Sequence, residues 1–364
     1  MLGCIYSLFF LFFFLFLSRK KGRNSNIFIF SIWYIMILLD YSFYQQQLVP
    51  FSKKFDTLFL FFCILYIFSY LLFNTVFQYS KLSNIRLIKT NILTYDTYFF
   101  LCTCLTLFSF ISFLTYMKMY SFSIFREMIA DGDLSTHVGI SFPFICTLIY
   151  YQNIHNIKKY RKLTVLQLFL LMCIATSKMF FVLGLLYLIP WYKKEFKIKI
   201  SYILLIVIGG ILFFALVHIL TNRVVGSGNI FNKVFYMFNG YLLGGIAIFQ
   251  THLDGTLANH VTVHPWVRVG KWVGNVYSGF YSFYHDYSYS IFALKTVSIG
   301  FLYALLNCKS IICGFIKIYA IYPFLFFIFS DLFFPSVKQW IIFIIAGVAI
   351  SCINDGGKKC VFVA

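Results

Sequence analysis

Apolar stretches, each about as long as a bilayer is thick, follow one another along most of this chain, separated by short clusters of lysine and arginine. Of 364 residues, 61% are hydrophobic and 11% charged, too little polar surface to keep a chain of this size in water. A formal charge of +19 would suggest nucleic acid in a soluble protein. Here the cations lie between apolar runs, where cytoplasmic loops of membrane proteins carry them, so no nucleic-acid partner is expected. The chain reads as all-α, a polytopic integral membrane protein. No Pro/Gly/Ser-rich linker sets off an aqueous module, so residues 1–364 read as a single membrane domain. Of the ten cysteines, Cys63, Cys102, Cys104, Cys146, Cys173, Cys308, Cys313 and Cys352 fall within or beside apolar runs, and the long polar-aromatic segment 220–289 has none. Packing, not a disulfide framework, is their expected role.

The basic clusters set the orientation. Arg19, Lys20, Lys21 and Arg23 follow the first apolar run, 2–17, instead of preceding it, which predicts an anchor with its N-terminus outside. Runs at 27–40 and 57–79 then cross out and back, leaving Lys81, Arg86 and Lys89 in the cytoplasm. Residues 97–116 cross outward, 117–137 form an external loop, and 138–152 return to Lys158, Lys159, Arg161 and Lys162. The next run, 163–192, is followed by Lys193, Lys194, Lys197 and Lys199, so both its flanks belong inside. One helix of that length would be about 45 Å long against a hydrocarbon core of about 30 Å. Two short helices folded back at Ser177-Lys178 satisfy both the flanks and the length. Crossings at 201–219, 290–307, 311–330 and 341–353 complete about 11 transmembrane helices, with 220–289 external and the tail carrying Lys358 and Lys359 inside.

Three arginines, Arg126, Arg223 and Arg268, then stand outside, where the positive-inside rule disfavours them. Guanidinium forks suit a multiply charged anion such as a lipid-linked diphosphate. Interfacial snorkelling, or for Arg126 a salt bridge to Glu127, Asp131 or Asp133, is the plain alternative. Lys178, at the tip of the two short helices, is placed to reach a headgroup from within the membrane. The external segment holds His252, His260, His264 and His285 with Asp254 and Asp286, groups able to move a proton. His260 and His264 stand four apart, but no third ligand at fixed spacing accompanies them, and no metal is expected. Trp266, Trp272, Tyr277, Tyr281, Tyr284, Tyr287 and Tyr289 crowd the same segment, as an interfacial belt or as faces for sugar rings. His218, inside an apolar run, suits either a bonded interior histidine or the histidine of an O-acyltransferase.

The stretch GNVYSGFYSFYHDYS at 274–288 resembles the Asn-Val-Tyr-Thr and Tyr-x-Asp-Phe-Gly elements of the Wzy-type O-antigen and capsule repeat-unit polymerases. Asn275, Val276, Tyr277, Tyr284 and Asp286 match, whereas Ser278, Tyr287 and Ser288 replace Thr, Phe and Gly. Thr176-Ser177-Lys178 is similar to that family's Ser-x-Arg, with Lys keeping the charge but not the fork. Phe238-Asn239-Gly240-Tyr241 through Phe249 is similar to its Tyr-x-x-Gly element, and the pattern of spans agrees over nearly the whole chain.

The resemblance implies a glycosyltransferase of the bacterial inner membrane that moves a growing glycan from undecaprenyl diphosphate onto a fresh lipid-linked repeat unit at the periplasmic face. It implies Arg223, Arg268, Lys178 and Arg126 on the diphosphate, Asn275, Tyr277 and Tyr284 on sugar, and Asp286 or His264 as the base. Asp286 also suits the N-terminus of the next helix as a plain dipole partner. No cofactor is implied. The partners implied are lipid-linked repeat units, membrane lipid, a chain-length regulator and a flippase. An O-antigen ligase shares the span count, the long loop and the external arginines. A flippase or other transporter would show matching interrupted spans in two halves, and no internal repeat is visible.

Overall fold

The structure is a computed structural model that describes residues 8–16, 29–31, 33–35, 38, 53–80, 92–131, 136–175, 177–188, 209, 244–249, 251–253, 267–269, 272–274, 279–284, 289–308, 310–327 and 337–354. The helices in chain order are α1 (Lys53–Tyr79), α2 (Tyr95–Met119), α3 (Phe122–Asp131), α4 (Val138–Ile154), α5 (Arg161–Ala175), α6 (Lys178–Leu188), α7 (Gly279–Tyr284), α8 (Tyr289–Leu305), α9 (Ile311–Leu325) and α10 (Val337–Ser351). Residues 8–16, 244–249 and 251–253 are also helical. The all-α expectation holds for the bulk of the described residues. Two minimal ladders interrupt it, a parallel pair of β1 (Leu93–Thr94) with β4 (Ile353–Asn354) and an antiparallel pair of β2 (Val267–Val269) with β3 (Trp272–Gly274).

By length and composition α1 and α2 each suffice to cross a bilayer, and α4, α8, α9 and α10 are shorter apolar helices, as are residues Met179–Leu188 within α6. Both α1 and α10 begin earlier than the apolar runs alone predict, at Lys53 and Val337. In α1 the polar first turn stays helical, and its Asp56 complements the positive end of the helix dipole. The loop expected at 117–137 contains a helix, α3, with Phe125 buried against the rings of Phe113 and Tyr116. The expected break at Ser177-Lys178 is present: α5 ends at Ala175, α6 starts at Lys178, and the two lie side by side with Gly184 against Met172 and Leu168.

The chain divides into two compact units built from non-contiguous segments. Unit 1 takes Met1–Leu82, Val224–Leu306 and Pro323–Ser336, and unit 2 takes Ser83–Arg223, Asn307–Tyr322 and Val337–Ala364.

Unit 1 is centred on the pairing of α1 with α8. Gly300 of α8 permits this close approach, since a β-carbon there would run into the Ser69 side chain. Aromatic rings fill the rest: Phe30, Trp33, Phe62, Tyr66, Phe280, Phe324 and Phe327 are all buried, and Phe62 alone packs against Phe30, Trp33, Tyr66, Phe280, Phe292 and Phe327. The Trp33 indole N–H donates to the Leu325 carbonyl at 3.1 Å, which meets the need of a buried donor and of a carbonyl at a helix end.

Unit 2 is centred on α4, which is buried along nearly its whole length and touches α2, α5, α6 and α10. Side-chain hydrogen bonds join its helices. Tyr98 and Thr147 meet at 2.5 Å, Ser109 and Ser141 at 2.7 Å, and Gln167 Nε2 donates to Thr103 Oγ1 at 2.8 Å. Gln152 Nε2 donates to both Tyr95 Oη and Thr164 Oγ1. At one end of the unit the β1–β4 pair joins the start of α2 to the end of α10, and Lys159 Nζ lies 2.7 Å from both carboxylate oxygens of Asp96. At the other end Pro143 denies α4 the N–H that the Gly139 carbonyl would accept, and Gln339 Nε2 from α10 reaches that carbonyl at 3.5 Å.

Candidate functional site

One turn spacing after another places Lys54, Thr57, Leu58 and Phe61 on a single face of α1. Opposite them stands Tyr289, the first residue of α8, and between the two helices lies a cleft of about 380 Å³ lined by these five side chains. Lys54 Nζ donates to the Leu253 carbonyl at 3.3 Å, so the cation at the mouth is held against the long polar segment. The cleft thus joins a lysine, a threonine hydroxyl and a phenol to an apolar floor.

Residues 279–284, the described part of the motif's helix, are tied into unit 1 just beside this cleft. Gly279 N–H donates to the Phe327 carbonyl at 2.7 Å, and a β-carbon at 279 would collide with the Phe327 ring, so only glycine fits. Phe280 and Tyr281, the next two residues, are buried. Phe280 meets Trp33, Phe59, Phe62, Phe249 and Phe327, and Tyr281 meets the buried ring of His252 at 4.9 Å. Tyr284 closes α7 with its ring edge-on to Tyr289 at 5.3 Å and to Phe249 and Phe292 at 6.2 Å. Residues 279–284 are thus packed through aromatic rings into the apolar interior of unit 1.

Of the residues singled out in the sequence, Tyr284 is placed in full and belongs to this neighbourhood through Tyr289. Lys178 is placed as the first residue of α6, Arg126 within α3 and Arg268 in β2, by backbone alone. Arg223, His264, Asn275, Tyr277 and Asp286 lie outside the described residues, as do His218, His260 and His285. His252, weighed for proton transfer, is a buried ring packed on Tyr281. Lys54 was missed by sequence reasoning because it lies between the runs 27–40 and 57–79, where a lysine reads only as a loop charge. The 54, 57, 58, 61 spacing was legible, but nothing in the sequence sets it opposite Tyr289.

These elements define a helical membrane protein in which one end of α1 and α8 carries a cleft beside a long polar segment. The chain is similar to a protein named O-antigen polymerase from Shigella dysenteriae, 25% identical over 372 residues that cover 92% of this chain and 93% of that protein. That similarity agrees with the likeness carried by residues 274–288 to the repeat-unit polymerases. No family model and no solved structure matches the chain.

Proposed function

We propose that this protein is a Wzy-type repeat-unit polymerase of O-antigen or a related surface polysaccharide. It works in the bacterial inner membrane through about 11 spans, with the N-terminus and residues 220–289 periplasmic and the C-terminus cytoplasmic. The observation that carries this proposal is the end-to-end similarity to an O-antigen polymerase, which extends far beyond the short motif. In the reaction an acceptor sugar hydroxyl attacks the anomeric carbon of the growing glycan, and undecaprenyl diphosphate leaves. The departing diphosphate needs cations, and the hydroxyl needs a proton acceptor. Arg223, Arg268, Lys178 and Arg126 are assigned to the first task, Asp286 or His264 to the second, and Asn275, Tyr277 and Tyr284 to the sugars. A chain-length regulator and a flippase are the proposed partners.

Contacts within each unit fit the proposed topology. Asp96 and Lys159 share one end of unit 2, where the basic clusters assign both to the cytoplasm. Lys54 meets Leu253 in unit 1, and both are assigned outside. Deleting the gene in its source bacterium tests the function. A polymerase mutant keeps lipopolysaccharide bearing a single repeat unit and loses the ladder. Loss of every repeat unit, including the first, would identify a ligase instead.

A further inference from the structure

We propose that the cleft between α1 and α8 receives the lipid diphosphate of a substrate sideways from the bilayer, with Lys54 as a phosphate-binding cation in addition to those assigned above. This rests on the polymerase function proposed above and adds to it a site and an entry route. Phe61 is 40% and Tyr289 61% exposed in the protein alone, so within a membrane this side of the cleft faces lipid. Leu58, 4% exposed, forms its buried wall. A volume of about 380 Å³ admits a diphosphate with the first part of an isoprenoid chain, whereas the rest of so long a tail must stay in the bilayer. The opening toward lipid is what such a ligand requires.

The polar groups stand where the head of that ligand would arrive. Lys54 and Thr57, one turn apart, sit toward the helix start, and Phe61 lies farther along the same face. The apolar end of the cleft is thus toward the bilayer core, and its cationic end toward the boundary. Lys54 carries its charge in the first turn of a helix, the end where a cation is unfavourable and an anion is favoured. Its hydrogen bond to the Leu253 carbonyl fixes the ammonium at the mouth and leaves that group further protons to donate. The same bond joins the cleft to the polar segment that holds the proposed base and sugar contacts. Tyr284, edge-on to Tyr289, then stands beside the head of the lipid, where the first sugar lies.

Phosphate could reach Lys54 from the substrate or from bulk phospholipid, and two measurements on the full chain in nanodiscs separate these sources. The first is elongation of purified lipid-linked repeat units. Lys54→Gln is expected to raise KM about tenfold with kcat changed less than about twofold, and Lys54→Arg to recover most of the loss. The second is acetylation of Lys54 in the wild-type protein, followed by mass spectrometry. Sugar-free undecaprenyl diphosphate is expected to slow it about tenfold, and phosphatidylglycerol at equal concentration to leave it unchanged. An unaltered KM in an active Lys54→Gln protein overturns the inference while leaving the polymerase function intact. So does protection by phosphatidylglycerol equal to that by undecaprenyl diphosphate, or no protection by either. A wild-type protein that elongates no lipid-linked repeat unit overturns the function and this site with it.

Discussion

The two units solve one problem in opposite ways. In lipid, helices gain little from burying apolar surface, because the solvent is as apolar as the side chains. Unit 1 relies on shape: its rings interlock around Phe62, and the close α1–α8 approach depends on Gly300. Unit 2 relies on polarity: threonines, serines, tyrosines and glutamines bond across α2, α4 and α5. The difference tracks the proposed work. The unit that carries the cleft is the ring-packed one, in which Phe280 of α7 meets Trp33, Phe59, Phe62, Phe249 and Phe327.

If this contrast is right, truncating one central ring should harm unit 1 more than any single polar deletion harms unit 2. Phe62→Ala is expected to cost about 3–5 kcal/mol, read as a large loss of thermal stability in detergent and of membrane abundance. A change no larger than that of a lipid-facing control such as Phe68→Ala would break the comparison. For unit 2, Gln152→Leu removes two donated hydrogen bonds and is expected to cost about 0.6–2 kcal/mol, since such bonds in membranes have modest net worth. A cost equal to that of Phe62→Ala would show that polar contacts dominate after all. The smallest effect belongs to Asp96→Asn, because Lys159 and Asp96 are exposed partners and such pairs add little to stability. The hydrogen bond to Asp96 raises the Lys159 pKa above the ordinary lysine value. Whatever the pair contributes is therefore complete below the unfolded lysine pKa and disappears only as pH rises through the raised one. Melting temperatures of wild type and Asp96→Asn should coincide, and their difference should stay constant from pH 6 to pH 8.

Much of this organisation was legible in the sequence for physical reasons. Spans announce themselves by length and apolarity, and the break at Ser177-Lys178 followed from basic flanks on a run too long for one crossing. Helix α3 was missed because its ten residues carry too little apolar surface to stand out beside spans. The β2–β3 ladder pairs three residues with three, below what alternation can reveal. The Lys54 cleft needed two residues far apart in sequence to be brought face to face, and the Gly279–Phe327 contact is of the same kind. For the proposed base, sequence speaks alone: Asp286 and His264 stand on the motif and on their chemistry.

The parallel clip between β1 and β4 has an arithmetic consequence. Leu93 pairs with Ile353 and Thr94 with Asn354, so on the proposed spans residues 94 and 353 lie on the same face of the membrane. A chain that leaves a face and returns to it must cross an even number of times. Treating 163–192 as one crossing makes seven of the crossings expected between those two residues, and parity forbids seven. Folding that run back at Ser177 makes eight, and a hairpin that dips in without crossing makes six. On the proposed spans, two backbone ladder rungs with no charge in them thus agree with the lysines that 163–192 folds back.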